Sequence, residues 1–408
     1  MAVAGCTAIL CATALLALTR PWAGGLPASG AEDLPDLARA HGVDLGVAVA
    51  VDPLEGDGDY RDVVTGHYTS VTAENTMKWE HVQPERGAFD WSGPDTVVGF
   101  AEANGLNVRG HTLLWHNQQP AWLSEGDWTS AELREVLREH MEALMGRYEG
   151  RVEAWDVVNE PFEDGEPFLR ENLWYQVLGE DYVAEALTMA HEVDPDARLY
   201  INEFNIEGGG DKADALYAMA SDLLERGVPL HGIGFQGHFV HGQVPGNLAE
   251  TLARFTGLGL EVTVTELDVR IAEPVSQEAL RDQRDEFRHV VEACLDVPGC
   301  AGVTVWGVSD AHSWIPEWFP GYDAATPFDV DYAPKPALWG MVDALSREPS
   351  GRGSGRRAHR PGRRSRVPRP GRAADVARTS PGRTTAARSS VPHRAPGPGR
   401  RPRPAPAP

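Results

Sequence analysis

Lysine is almost missing from this chain: its 408 residues include only Lys78, Lys212 and Lys335. Positive charge is therefore arginine, and it is unevenly placed. Of the 37 basic residues, 16 are arginines beyond residue 350, where Asp375 is the lone acid. The first 350 residues keep 21 basic against 59 acidic side chains. Such a surface repels phosphates, which argues against a nucleic-acid partner. Cysteine is scarce as well, with four in all, and no Cys/His spacing suits a zinc site. Beyond the N-terminus no apolar run reaches the roughly 20 residues of a membrane-spanning helix. Neither a dinucleotide-binding Gly-x-Gly-x-x-Gly turn nor a Walker-type loop is expected, so a nucleotide site has no support. What the chain does have is 12 Trp, 9 Tyr and 11 Phe, which require a folded interior.

The two ends stand apart from the rest. Residues 1–30 hold an uncharged Ala/Leu/Thr-rich run followed by small residues, the pattern of a secretory signal peptide, although no basic residue precedes the run. An uncleaved anchor is the alternative. With Cys6 and Cys11 in that segment, Cys294 and Cys300 remain, and export favours a disulfide between them over two buried thiols. Residues 349–408 form a basic Arg/Pro/Ala/Gly-rich tail that cannot bury enough apolar surface to order itself. It reads as a disordered tail or as the product of a shifted reading frame. Translating the other two frames decides: a linker followed by a recognisable module supports the shift, and its absence from both rejects it.

Residues 31–348 repeat one theme, a short apolar run followed by a longer amphipathic stretch. The runs are Leu45–Val51, Thr69–Ala73, Val108–Trp115, Ala154–Asn159, Leu199–Asn202, Ile233–His238, Val262–Leu267 and Ala301–Val308. Apolar strands alternating with helices predict a parallel sheet covered on its outside. Eight units over this length fit a (β/α)8 TIM barrel, an α/β fold, better than an open sheet.

The strand ends carry the chemistry. They read "VTAENTMKW", "RGHTLLWHNQ", "WDVVNEPF", "INEFNIE", "GFQGHF", "VTELDVR" and "VWGVSDAHSW". In such a barrel these ends converge on one face. Glu160 ends the fourth strand, before Pro161, and Glu266 ends the seventh, so the two carboxylates face each other across the mouth. A facing pair of this kind serves glycoside hydrolysis: one protonated to deliver a proton, one ionised to meet the oxocarbenium-like carbon. A metal hydrolase is the rival, with His111, His116, His238 and Asp268 as ligands, but there is no His-x-His or His-Glu-x-x-His. No metal and no cofactor is expected.

At these residues the chain resembles the family 10 glycoside hydrolases, the retaining endo-1,4-β-xylanases. The similarity runs from about Leu45 to Leu345 and rests on "ENTMKWE", "GHTLLWH", "WDVVNEPF", "GFQGHF", "TELDVR" and "VWGVSD". The resemblance implies Glu160 as acid/base, Glu266 as nucleophile and Asn159 on the sugar 2-hydroxyl. It implies His238 and Gln236 as the pair that positions Glu266, with Asp268 behind them. Glu74, Asn75 and Lys78 would grip the neighbouring xylose; His111, Trp115 and Gln118 would line the cleaved one; Trp306 and Trp314 would form aromatic walls. Gln118 and Trp314 would occupy the space of a glucose hydroxymethyl group, disfavouring cellulose and mixed β-glucans. The implied partners are xylan and xylo-oligosaccharides, for a secreted, extracellular monomer with no membrane attachment after cleavage. A non-catalytic sugar-binding barrel is the remaining alternative, and it has no need of both glutamates. One motif departs from the family: Asn202-Glu203-Phe204-Asn205 replaces Asn-Asp-Tyr-Asn, which removes a hydroxyl on the leaving-group side. Trp91, Trp128, Trp155, Trp174 and Trp339 are expected in the core, and Trp318 and Tyr322 at the edge of the cleft.

Overall fold

The computed structural model describes residues 33–165 and 169–349. The expected leader and basic tail lie outside them. Eight parallel strands form the centre: β1 (Asp44–Val49), β2 (Ser70–Ala73), β3 (Asn107–Leu114), β4 (Ala154–Asn159), β5 (Arg198–Glu203), β6 (Gly232–Phe235), β7 (Glu261–Ala272) and β8 (Cys300–Val305). Each pairs with its neighbour in sequence, and β8 returns to β1 with Asp44 opposite Gly302 and Val47 opposite Val305. Closure leaves the barrel no free edge. The fold is the (β/α)8 barrel.

Strand side chains alternate between two environments. Val47, Val71, Val108, Leu199, Ile233, Val262 and Val303 are buried on the outside, beneath the helices. Some of the helices start at capping side chains. Thr129 and Glu132 form a reciprocal capping box at Ser130–Arg147, and Ser276 caps Gln277–Asp296. Cys294, near the end of the latter helix, is disulfide-bonded to Cys300 at the start of β8. Among the described residues no helix is long and apolar enough to cross a membrane.

The inner face of the barrel is polar, carrying Arg109, His111, Asp156, Tyr200 and Asn202, and it dictates two glycines. Against the sequence expectation, Gly232-Ile-Gly234-Phe-Gln-Gly237 does have the Gly-x-Gly-x-x-Gly spacing of a dinucleotide-binding turn. Gly232 and Gly234 nevertheless sit inside β6 and not between a strand and a helix. A Cβ at Gly232 would strike the Tyr200 ring, and one at Gly234 would strike the Asn202 side chain. The glycines are spaces kept for side chains of β5.

Several boundaries differ from the sequence expectation; the sixth and eighth strands stop early, at Phe235 and Val305 instead of His238 and Val308. The first apolar run stops as a strand at Val49, because Val51 opens a helix (Val51–Gly56) whose early Pro53 has no N–H to leave unpaired. The seventh runs on from Leu267 to Ala272. Above the barrel rim it is held by parallel pairing with His238–Val240 and antiparallel pairing with Tyr322–Asp323. Trp155, Trp174 and Trp339 are core residues as expected, while Trp91 and Trp128 are only partly covered.

These contacts give opposite expectations for two glycines. Gly146, in a helix with open space around it, should gain about 0.5–1 kcal/mol on Gly146→Ala. Gly234→Ala should lose about 1–3 kcal/mol through overpacking. Urea unfolding midpoints check both; equal midpoints would refute the packing argument.

Candidate active site

Glu160 follows β4 in the left-handed region, at φ 54°. That conformation costs a non-glycine residue roughly 1–2 kcal/mol. Its N–H is satisfied by the Asn202 carbonyl at 2.8 Å, and Pro161 prevents the strand from continuing. Glu266 belongs to β7, and its N–H donates to the Gln236 carbonyl at 2.7 Å. Both carboxylates are almost completely buried.

An unbroken run of side-chain amides joins them. Gln236 Nε2 donates to Glu160 Oε1 at 3.1 Å and to Asn159 Oδ1 at 3.3 Å. Asn202 Nδ2 donates to the same Asn159 oxygen at 2.8 Å and to Glu266 Oε1 at 2.7 Å. Thr265 Oγ1 donates to Asn202 Oδ1 at 2.6 Å, which fixes the orientation of that amide. The space left open by Gly234 thus ends in a hydrogen bond on Glu266.

On its other oxygen Glu266 meets His238. The imidazole lies 3.2 Å from Glu266 Oε2 through Nε2 and 2.9 Å from Asp268 Oδ2 through Nδ1. Trp314 Nε1 also donates to Asp268 Oδ2, at 2.9 Å. Burial tends to lower the His238 pKa, but Asp268 and Glu266 overturn this and push it up to about 10. Burial works to raise the Glu266 carboxyl; the His238 hydrogen bond, with the charges of His111, His238 and Lys78, outweighs it and holds the group below the usual carboxylate range. The charged His238 therefore stabilises the fold fully below about pH 6.5 and ceases to do so as pH rises through about 10. Ionised Glu266 contributes above its ordinary value of about 4.3, and that contribution is lost as pH falls.

The remaining expected residues line the same mouth. Lys78 Nζ donates to Asn75 Oδ1 at 3.0 Å and stands 4.9 Å from the Trp115 ring centre. Gln118, at φ 46°, donates to Asn75 at 3.2 Å. Burial raises the Glu74 pKa, against the pull of Lys78. His111 is 5.3 Å from Trp306, edge to face, and its Nδ1 is 3.0 Å from Asp156 Oδ2. Trp314 lies 4.9 Å from His238. His111 and His116 address different carboxylates, Asp156 and Glu160. Among the described residues no three His, Cys, Asp or Glu side chains are grouped to hold a metal.

One expected contact differs. The Gln236 amide reaches Glu160, while only its main-chain carbonyl serves Glu266; the turn after β6 swings the side chain toward β4. Several contributors escaped sequence reasoning. Asn202 was visible only as part of a motif, and the Arg109–Asp156 ion pair that backs His111 lies deeper in the barrel. Lys212, from the helix Asp211–Glu225, meets Glu203 at 3.0 Å and Asp164 at 2.9 Å and stands 3.5 Å from the Phe204 ring centre. The ring at position 204 is thus used as a cover for this buried cation.

A (β/α)8 barrel whose mouth holds two buried, amide-linked carboxylates among tryptophans is a glycosidase. The profile of glycosyl hydrolase family 10 matches residues 33–344. An endo-1,4-beta-xylanase of Agaricus bisporus is 41% identical over 296 residues, covering 72% of this chain and 89% of that protein. The crystal structure of native xylanase 10B from Thermotoga maritima superposes with a TM-score of 0.74 at 37% identity, covering 76% of this chain and 97% of the other. Xylanase 10B of Thermotoga petrophila, solved with xylobiose, gives 0.75 at 36% identity, covering 79% and 98%. The chain belongs to glycosyl hydrolase family 10.

His238→Asn retains a hydrogen-bond donor and removes the charge. Carbon-13 NMR of the Glu266 carboxyl should then show a pKa higher than in the parent protein; an unchanged value would mean the imidazolium does not hold Glu266 ionised.

Proposed function

We propose that this protein is a secreted endo-1,4-β-xylanase that cleaves internal linkages of xylan with retention of configuration. The observation that carries the reading is the pair Glu160 and Glu266, tied by one amide chain, with the imidazolium of His238 on Glu266 alone. The asymmetry assigns the roles. Glu266, held as carboxylate, attacks the anomeric carbon and forms the glycosyl ester. Glu160 gives its proton to the departing oxygen as the glycosidic bond breaks. In the second step Glu160, now ionised, takes a proton from water; the water oxygen bonds to the anomeric carbon and the ester to Glu266 opens. Retention of this kind needs carboxyl groups about 5–5.5 Å apart.

The other side chains fit a pyranose, whose apolar faces suit aromatic rings and whose hydroxyls suit amides and charges. Asn159 holds the 2-hydroxyl, a contact that strengthens in the transition state. Glu74, Asn75, Lys78, His111, Trp115 and Gln118 take the sugars on the retained side, between the rings of Trp306 and Trp314. Export is supported by the leader-like N-terminal sequence and by the Cys294–Cys300 bond, which persists in oxidising compartments. We take residues 31–348 as the catalytic domain.

Incubation with xylan and, separately, with carboxymethylcellulose tests the substrate: release of sugars from xylan is expected, and a preference for the cellulose derivative overturns the assignment. The first product seen by NMR should be the β-anomer; immediate α-anomer means inversion. Glu266→Gln should leave no turnover above background, and Glu160→Gln should cost about 10²–10⁴-fold on xylan.

A further inference from the structure

The extension of β7 above the barrel rim carries a feature that cleavage of an unbranched chain does not use. Side chains two apart share a strand face, so Glu266, Asp268 and Arg270 point the same way, toward the mouth. At about 3.3 Å per residue, Arg270 stands roughly 13 Å along the strand from Glu266. Ile271 faces the opposite side, packed with Leu280 and Ala324.

The Arg270 guanidinium carbon lies over aromatic rings, 4.0 Å from the Phe319 centre and 5.7 Å from that of Tyr322. Phe319 in turn packs edge to face on Trp314 at 5.4 Å, and Trp314 is bonded to Asp268. Arg270 thus belongs to the same wall of the mouth as Trp314. Among the described residues its guanidinium has no ion pair and no hydrogen bond, and its Nε is shielded from solvent without a partner. Asp268, the acid nearest in the strand, gives Oδ2 to His238 and Trp314; its Oδ1 has no hydrogen-bond partner, and its charge acts on Arg270 without an ion pair between them. Many other arginines of this acidic domain find carboxylates, as Arg134 with Glu185, Arg147 with Asp95 and Arg151 with Glu102, although Arg86 over Trp128 also has no ion pair among the described residues. With Nε shielded, the two terminal Nη groups are the donors left to a ligand, and such a pair matches a carboxylate in two parallel hydrogen bonds.

We propose that Arg270 is a subsite for a carboxylate borne by the polysaccharide, a uronate branch on a xylose close to the scissile bond. The inference rests on the xylanase reading and names a substituent that the site selects. It makes the enzyme prefer acidic xylans, with the aromatic wall fixing the guanidinium before the branch arrives. The acidic remainder of the protein surface would repel the same polymer, so the attraction is confined to this point of the mouth.

The test compares kcat/KM on three substrates: a uronate-branched xylo-oligosaccharide, the same compound with its carboxyl reduced to the alcohol, and the unbranched chain. The parent protein should favour the acidic branch over its reduced form by about tenfold, the size expected of one charge-assisted bidentate contact. The advantage should shrink as salt rises. Arg270→Gln should bring the acidic-to-reduced ratio to about one, and Arg270→Lys should restore only part of it. A parent ratio of one overturns the proposal without need of any variant, as does a ratio that Arg270→Gln leaves intact. Failure to cleave even the unbranched chain would instead overturn the xylanase reading itself.

Discussion

The structure depends on giving two buried glutamates different surroundings within one mouth, with His238 beside Glu266 and an amide beside Glu160. Two adjacent carboxylates in a low-dielectric pocket would otherwise both tend to hold protons. The imidazolium of His238, flanked by Asp268, breaks the symmetry by favouring the charged form of Glu266. The amide chain through Asn202, Asn159 and Gln236 then spans the gap to Glu160 without adding net charge. Charge sits where it is needed and neutral donors occupy the space between.

The barrel is built to supply that arrangement. Its outer surface is the apolar core shared with the helices, and its inner surface is a stack of polar side chains. At the level of Arg109, His111 and Asp156 the barrel carries buried charge, matched within the layer. One level higher Asn202 fits because Gly234 has no side chain. Burial of this much polarity is costly unless every group is paired, which explains why β4, β5, β6 and β7 all contribute to one network. The same logic applies at Lys212, where Glu203 and Asp164 neutralise the ammonium and Phe204 covers it.

Much of this was legible in the sequence because the strands are buried on their outer faces and read as apolar runs. Polar residues following those runs pointed to one face, and Glu160 and Glu266 stood out by their contexts. The limits of legibility have physical causes. The extension of β7 was missed because Asp268 and Arg270 interrupt the apolar run, although the alternation with Val269 and Ile271 is itself a strand signal. Asn202 looked like one polar residue among several, since its importance comes from contacts with residues 43 and 64 positions away. The glycines of β6 imitate a nucleotide-binding turn in one dimension, and only the neighbouring Tyr200 and Asn202 side chains explain them.

The central claim is that Glu266 forms the covalent bond to sugar. A 2-deoxy-2-fluoro xylobioside with a good leaving group forms the ester but hydrolyses slowly, so mass spectrometry of the trapped protein is the most direct measurement. A single added glycosyl mass, mapped to the peptide containing Glu266, is the predicted result. A label on Glu160 or on any other residue, or no label while the reagent is consumed, would contradict the account.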